Sequence, residues 1–248
     1  MLRVASYNIC KSIGTDLRRR PDRVLAVLGE LDADVVALQE VDRRFGARAS
    51  VLSPESIVAE TAFRPVRFGV RPDSLGWHGN ALLIGQDVEL LSQRRLELPS
   101  FEPRGAVLAD LMVRGRAVRA LGMHLGLLGL WRRRQARAVL MTLEALEEPL
   151  PTVMMGDLNE WTLGGGCLAM FAKHHHVAVP GPSFHSRRPV ATLDRIITSL
   201  DLRIDDAGVH SSAKSRVASD HLPVWASITP AGPSAAAQRQ RVARTPWM

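Results

Sequence analysis

Two apolar segments of this chain are separated by only three residues, and this spacing constrains the fold more than any other feature of the sequence. The segments are residues 106–113 and 117–124, which flank Arg114-Gly115-Arg116. A connection this short joins antiparallel neighbours, because a parallel crossover takes about a dozen residues or more. The pair therefore predicts a β-hairpin and excludes a sheet in which all strands run parallel.

The other periodic segments predict a mixed α/β fold. The chain opens in the order strand, helix, strand over residues 3–9, 21–31 and 34–39, and Pro21 suits a first helical turn. A second amphipathic helix is predicted over residues 130–146. Two mixed sheets packed together, with helices outside, accommodate these elements. The remaining predicted strands are residues 80–84, 152–156, 193–199 and 224–228.

The composition predicts one globular domain followed by a tail. Of the 248 residues, 46% are hydrophobic and 23% are charged, close to the averages of globular proteins. We predict a single domain over residues 1–229. From Pro230 the sequence passes into an Arg/Gln segment without apolar periodicity, so residues 230–248 are predicted to be a disordered C-terminal tail.

The N-terminal segment and the cysteines predict a cytoplasmic protein. Residues 1–7 enter an apolar strand directly, without a basic stretch followed by a long apolar core. Cys10 and Cys167 provide no disulfide framework and match no zinc-site spacing, which favours a reducing compartment. No run in the sequence approaches the roughly 20 apolar residues of a membrane-spanning helix, so we expect no transmembrane segment. The oligomeric state is not predicted.

The net charge of +7 favours a polyanion or an anionic membrane surface as a partner. Nearly all basic residues are arginines. One cluster is either a phosphate-binding patch or the solvated face of a helix, and we favour the solvated face; it consists of Arg132, Arg133, Arg134 and Arg137. The run of residues 174–176 is three histidines, but adjacent side chains alternate in direction in a loop-like context, so no metal site is assigned to it.

Polar side chains recur where the predicted strands end. Asn8, Glu40 and His124 each end or follow a strand, and Asp157 and Asn159 follow another. One such residue is usually a cap or a local hydrogen bond. A whole series is difficult to explain in that way, and Asp194, Asp220 and His221 extend it. Carboxylates suit Mg²⁺ or Mn²⁺ better than zinc, so the series predicts an active site with a hard divalent cation.

These motifs resemble the endonuclease/exonuclease/phosphatase superfamily of deoxyribonucleases, abasic-site endonucleases, neutral sphingomyelinases and inositol polyphosphate phosphatases. The resemblance covers about residues 3–229, and the order of the motifs is more specific than any one of them. It implies an α/β fold, a four-layer α/β sandwich of two packed mixed β-sheets flanked by helices, with the site at one end of both sheets. The motifs are Ser6-Tyr7-Asn8, Leu38-Gln39-Glu40-Val41-Asp42, Gly79-Asn80-Ala81-Leu82-Leu83, His124-Leu125, Gly156-Asp157-Leu158-Asn159, Leu193-Asp194-Arg195-Ile196 and Ser219-Asp220-His221-Leu222-Pro223-Val224.

The resemblance implies a metal site. Glu40 resembles the principal ligand of the ion, with Asn8 and Asp220 close to the ion or to its waters. Strand alternation would place Cys10 on the same side as Asn8, where many nucleases of the superfamily have an acid and a bacterial group often has histidine. We interpret Cys10 as a packing residue, and its thiol argues against a second metal.

The resemblance also implies the catalytic groups. His221 resembles a base that Asp194 orients: a carboxylate that accepts one imidazole N–H leaves the other nitrogen free to take a proton from water. Asp157 and Asn159 resemble residues that orient this water and hold a phosphate oxygen. His124 resembles the His-Leu of pancreatic-type deoxyribonucleases, sphingomyelinases and inositol phosphatases, and would donate to the phosphate or protonate the leaving group.

Two residues are predicted to bind the substrate. Asn80 is assigned from its motif, and Arg104 would pair with a phosphate in bidentate fashion. The alternative for Arg104, an arginine in solvent at the edge of the hairpin, is equally compatible with the sequence. Residues 102–106 together with residues 183–186 resemble an uncharacterised bacterial group of metal-dependent hydrolases within the superfamily.

The predicted function is hydrolysis of a phosphodiester with Mg²⁺ or Mn²⁺. DNA or RNA is slightly favoured as the substrate by the basic charge and by the breadth of that substrate class in the superfamily. A phospholipid or a small phosphoester is favoured by the short chain and by an aromatic content of 5%, which is low for base stacking. A non-catalytic module that binds polyanions is the alternative of a different class.

Overall fold

The computed structural model describes residues 1–43, 46 and 48–232, and these residues form two six-stranded sheets with helices outside. The strands are β1 (Leu2–Asn8), β2 (Val35–Gln39), β3 (Phe63–Pro65), β4 (Ala81–Gly85), β5 (Glu89–Glu97), β6 (Gly105–Val113), β7 (Arg116–His124), β8 (Thr152–Asp157), β9 (His175–Ala178), β10 (Asp194–Ser199), β11 (Leu202–Val209) and β12 (Val224–Pro230). The helices are α1 (Pro21–Leu28), α2 (Pro54–Glu60), α3 (Gly129–Glu144), α4 (Leu168–Phe171) and α5 (Ser215–Ala218), and a short 3₁₀ turn covers Cys10–Ser12.

Both sheets have the same pattern of strand directions. The strand order is β11-β12-β1-β2-β4-β3 in the first sheet and β5-β6-β7-β8-β10-β9 in the second. The central pairs β1/β2 and β7/β8 are parallel, with α1 and α3 in their crossovers, whereas the other pairs are antiparallel. This architecture confirms the predicted sandwich of two mixed sheets and the hairpin of β6 and β7.

Three apolar layers hold the sandwich together. Side chains of both sheets meet in the middle, including Val4, Leu82 and Val107. A second layer packs α1 and α2 on the first sheet, and a third packs α3 and α4 on the second. The central strands are therefore buried on both faces, which explains why they appear in the sequence as continuous apolar runs.

Gly156 fixes the approach of β7 and β8 at the end that carries polar side chains. Its φ is +155°, and an added Cβ would lie 1.8 Å from the carbonyl oxygen of Met123. A side chain does not fit at this distance. The register that results places His124 of β7 beside Asp157 of β8, and Asp157 opposite Asp194 of β10.

Several interpretations of the sequence are corrected by the fold. Residues 175–178 form the edge strand β9 rather than a loop, so His175 and His176 lie in a strand. Arg132 is not on a solvated face of α3: it is buried, with Nε 3.3 Å from the carboxylate of Glu160. Arg133, Arg134 and Arg137 are exposed as expected.

The predicted C-terminal tail begins inside an ordered strand. β12 continues to Pro230, and the amide of Ala231 donates to the carbonyl of Asp201 at 2.8 Å. Residues 233–248 of that prediction lie outside the described residues.

None of the helices in the described part of the chain is long and apolar enough to cross a bilayer.

Candidate active site

The four central strands bring polar side chains from both sheets to one end of the sandwich. Asn8 ends β1, Glu40 follows β2, His124 ends β7 and Asp157 ends β8. Asn8 Nδ2 donates to Asp157 Oδ2 at 3.0 Å, which joins the two sheets. His124 Nε2 lies 3.4 Å from the same oxygen. The carboxyl ends of the parallel pairs therefore meet in one site.

An imidazole–carboxylate pair lies beside this group. His221 Nδ1 is 2.9 Å from Asp194 Oδ2, and His221 Nε2 is 3.7 Å from Asp157 Oδ2. The hydroxyl of Ser183 donates to the same oxygen of Asp194 at 2.5 Å. The ring of Phe184 packs on the imidazole with centroids 4.9 Å apart. These contacts fix the orientation of His221 from three sides.

The electrostatics of this pair favour an imidazolium. Burial alone would lower the pKa of His221, but the carboxylates of Asp194 and Asp157 outweigh it and raise the pKa to about 10. Burial raises the pKa of Asp157 to about 6, although the charge of His221 opposes this rise. A proton at this position is therefore held between two buried carboxylates.

His124 differs from His221 because its surroundings favour the neutral imidazole. Its pKa is well below the ordinary value because it is buried, and the charges of Arg104 and His221 add to this effect. Arg104 Nη1 lies 2.8 Å from His124 Nε2, and Arg104 Nη2 donates to Glu102 Oε2 at 3.0 Å. Arg104 is thus drawn into the site, and the alternative of an arginine in solvent at the hairpin edge is wrong.

Glu40 and Asp220 lie on the side of the site that belongs to the first sheet. Glu40 has a φ of +59°, a conformation that L residues adopt rarely and mostly where the surrounding structure imposes it. Its carboxylate is paired with the ammonium of Lys11, a residue that the sequence did not single out. The signal was available, because Lys11 lies only three residues after Asn8.

Cys10 faces the same carboxylates. Burial raises the pKa of its thiol to about 12, and the charges of Asp220 and Glu40 add to the shift. β1 ends at Asn8, and Cys10 belongs to the 3₁₀ turn, so strand alternation does not determine where its side chain points. A soft thiol also suits Mg²⁺ or Mn²⁺ less well than carboxylate oxygens do.

Asn159 and Asn80 support the loops around the site. Asn159 donates its backbone N–H to Asp157 Oδ1 at 2.9 Å and its side-chain amide to the carbonyl of Leu125 at 3.0 Å. Asn80 is fully buried, and its amide donates to the carbonyl of Gly105 at 3.0 Å. Asn80 therefore lies behind the site, next to the loop that carries Arg104.

A cavity of about 290 Å³ opens beside Glu40 and His124. Two of its acids have cationic partners, since Glu40 pairs with Lys11 and Glu102 pairs with Arg104. A third acid, Asp42, accepts from the backbone amides of residues 75 and 76. Several other lining residues come from loops that no motif of the sequence indicated: Arg43, Arg48, Arg71, Trp77 and His78. The cavity is therefore suited to an anionic ligand.

Two groups of side chains have the donor atoms to hold a cation. Asp157, Asp194 and His221 offer ligand atoms within 4.8 Å of one another, but the Nδ1 of His221 and one oxygen of Asp194 are already hydrogen-bonded to each other. The set that the resemblance implies is Glu40 with Asn8 and Asp220; in the structure the carboxylate of Glu40 is paired with Lys11, and Asn8 Oδ1 accepts from the backbone N–H of Cys10 at 3.0 Å. Oxygen donors of this kind fit Mg²⁺ or Mn²⁺.

The arrangement of these site residues was compared, through the sequence, with known protein families. The sequence profile of the endonuclease/exonuclease/phosphatase family matches residues 5–221. The chain belongs to this family. The match runs from β1 to His221, so it includes all the site residues described above and every strand except β12, and it confirms the resemblance seen in the motifs.

Individual relatives of this family member are distant in sequence. The Escherichia coli K12 protein YbhP, described as uncharacterized, is 27% identical over 229 residues, which cover 80% of this chain and 84% of YbhP. The human nocturnin catalytic domain, solved with bound sulfate, has a TM-score of 0.71 at 19% identity. The two structures align over 93% of this chain and 94% of the nocturnin chain. The mannosyl-6-phosphatase Bt3783 of Bacteroides thetaiotaomicron has a TM-score of 0.72 at 17% identity, and the alignment covers 92% of this chain and 100% of Bt3783. These structures establish the shared fold.

Proposed function

We propose that this protein hydrolyses a phosphoester, with a divalent cation at Glu40, Asn8 and Asp220 and with His221 as the base. The observation that carries the proposal is the convergence of the His221–Asp194 pair, Asp157 and Asn8 at the end of both sheets. Mg²⁺ or Mn²⁺ would offset charge on the phosphoryl oxygens and on the departing oxygen.

His221 is proposed to take the proton from the attacking water at Nε2. Nδ1 is engaged with Asp194 at 2.9 Å, so Nε2 is the nitrogen that remains to accept. Asp194 fixes the tautomer and stabilises the imidazolium that forms. A divalent cation held beside Asp220 would disfavour the imidazolium and so would lower the pKa of His221 from its raised value of about 10.

The remaining polar residues are proposed to position the water and the phosphate. Asp157 and Asn159 lie at the carboxyl end of β8, where they would orient the water and hold a non-bridging oxygen. Neutral His124 would donate to the phosphate or to the leaving oxygen, and Arg104 beside it would bind a phosphate oxygen. Asn80 would support substrate binding through the loop of Arg104, because its amide holds the carbonyl of Gly105.

A phosphodiester is the proposed substrate class, and DNA or RNA is the first candidate because of the net charge of +7. A phospholipid or a small phosphoester is the second candidate, since the cavity of about 290 Å³ has room for one compact group beside the scissile phosphate. A catalytically silent polyanion-binding module would not need an imidazole aligned on a buried carboxylate.

The test is hydrolysis of bis-p-nitrophenyl phosphate, p-nitrophenyl phosphate, plasmid DNA, RNA and phospholipid vesicles, each with Mg²⁺, with Mn²⁺ and with a chelator. Glu40→Ala and His221→Ala are compared with Glu89→Ala and His176→Ala, which change the same residue types at exposed positions of β5 and β9. We expect a loss of roughly 100-fold or more in both site variants, wild-type turnover in both controls, and no turnover with chelator. Equal turnover in all five proteins would refute the proposal.

A further inference from the structure

Large apolar side chains are exposed on the two loops that follow β7 and β8. Leu127 and Leu128, directly after the His124 motif, are 61% and 58% exposed. Trp161 and Leu163, directly after Asn159, are 63% and 68% exposed. We call these four side chains the apolar rim. A cluster of this kind on a folded domain marks an interaction surface more often than a chance exposure.

The two loops are held together rather than loose. The guanidinium of Arg132 donates to the carbonyl of Leu127 at 2.6 Å and contacts the carboxylate of Glu160 at 3.3 Å. Glu160 in turn accepts from the backbone N–H of Cys167 at 3.2 Å. One buried ion pair thus fixes the loop that carries Leu127 and Leu128 against the loop that carries Trp161 and Leu163. The exposure of the rim is a feature of the fold.

The rim reaches the proposed catalytic imidazole through aromatic contacts. Trp161 packs edge-on against Phe184 with ring centroids 6.2 Å apart. Phe184 packs against His221 at 4.9 Å. Whatever covers the rim therefore comes to within two side chains of His221.

The exposed charges in the segments that carry and adjoin the rim are all positive. Residues 125–137, 159–166 and 184–191 contain Glu160 as their one acid, and it is buried against Arg132. The exposed charges in these segments are Arg133, Arg134, Arg137, Arg187 and Arg188. Apolar side chains surrounded by arginines match the interface of an anionic membrane, where the apolar groups enter between headgroups and the guanidinium groups meet lipid phosphates.

We propose that the apolar rim docks the protein on an anionic phospholipid surface and brings the site to lipid phosphoesters. The second half of this proposal rests on the proposed function, whereas docking itself does not. Nucleic acid would satisfy the arginines as well. Leucine side chains, however, have no ring on which a base can stack, so three of the four rim residues would gain little from a single strand.

The test is co-sedimentation of the full chain with vesicles in chelator, so that binding is measured without turnover. Vesicles of phosphatidylcholine with phosphatidylserine are compared with vesicles of phosphatidylcholine alone, and single-stranded DNA is assayed in parallel. The double variant Leu127→Ser/Leu128→Ser is compared with Leu91→Ser on β5, which is 46% exposed and far along the chain from the rim. Tryptophan emission is also recorded with and without vesicles. If the rim enters the lipid, the emission shifts in wild type and shifts less in Trp161→Phe.

We expect wild type and Leu91→Ser to bind the anionic vesicles and the double variant to bind them roughly tenfold more weakly or worse. Arg133→Gln/Arg134→Gln should lose the preference for anionic lipid, in contrast to Arg94→Gln/Arg116→Gln at exposed positions of β5 and β7. Equal binding by the double variant and Leu91→Ser, or binding of DNA but not vesicles, would overturn the docking proposal. Intact docking without hydrolysis of any phosphoester would overturn the proposed function instead.

Discussion

Replacement of Asp194 by asparagine separates orientation of His221 from mere packing. Asp194 is fully buried, and one of its oxygens accepts from His221 Nδ1 at 2.9 Å and from Ser183 Oγ at 2.5 Å. Asparagine has nearly the same shape but no charge. The imidazolium then loses the carboxylate that contributes most to the raised pKa of His221, about 10, so this pKa falls in the variant.

The expected magnitude follows from the role of the carboxylate. Loss of the oriented tautomer and of the stabilised imidazolium should lower kcat about 10²- to 10⁴-fold. This range corresponds to about 3–5 kcal/mol of transition-state stabilisation. Ser183→Ala is the matched control, because it removes the other hydrogen bond to the same oxygen and keeps the charge. One hydrogen bond is worth about 1 kcal/mol, so a loss of roughly fivefold is expected there.

The assay is kcat on the phosphoester that gives the highest turnover with Mg²⁺ or Mn²⁺, together with thermal unfolding of each variant. NMR titration of the His221 ring proton in chelator measures the pKa directly. A folded Asp194→Asn protein whose kcat matches that of Ser183→Ala would refute the proposed orientation of His221. An unchanged pKa of His221 would refute the electrostatic argument even if activity fell.

Two further predictions concern stability. Gly156→Ala should lower the free energy of unfolding by about 2–4 kcal/mol and lower activity, because its Cβ would lie 1.8 Å from the carbonyl oxygen of Met123. Gly115→Ala, at φ +74° with open space around it, should cost only about 1 kcal/mol; equal costs in urea unfolding would contradict the packing argument. In chelator, protonation of His221 stabilises the fold because its pKa is raised to about 10. This contribution to the free energy of unfolding, up to about 5 kcal/mol, is complete below a pH of about 6.5 and is lost as the pH rises from there to about 10. His221→Asn should flatten this part of the curve of unfolding free energy against pH, and an unchanged slope would show that other groups cause it.

The central strands could be predicted from the sequence, and the edge strands could not. β1, β2, β7 and β8 are buried on both faces and appear as continuous apolar runs. β5 is largely exposed, and four of its nine residues are charged, so it has no apolar period. β11 is similar, with a bulge between Ile204 and Asp206 that interrupts its pairing. Edge strands depend on a neighbour's backbone, which local sequence does not record.

The site was predictable to the extent that its residues end strands. The position of Asn8, His124 and Asp157 follows from parallel pairing, because the carboxyl ends of such strands share an edge. Lys11 and Ser183 lie in loops, and their contacts with Glu40 and Asp194 depend on how those loops turn back. Lys11 itself has a φ of +54°, a conformation that no sequence pattern of this chain indicates.

The topology that builds the site also decides where a docking surface can act. The two loops of the apolar rim leave the carboxyl ends of β7 and β8, the parallel pair that ends in His124 and Asp157. Because β7 and β8 run parallel, their carboxyl ends share one edge of the second sheet, so both loops lie at the end that carries His124 and Asp157. An apolar surface on the opposite edge would hold a membrane tens of ångströms from His221, by roughly the 3.3 Å per residue of a strand. If the rim docks as proposed, it would hold lipid headgroups at the end of the second sheet that carries His124 and Asp157.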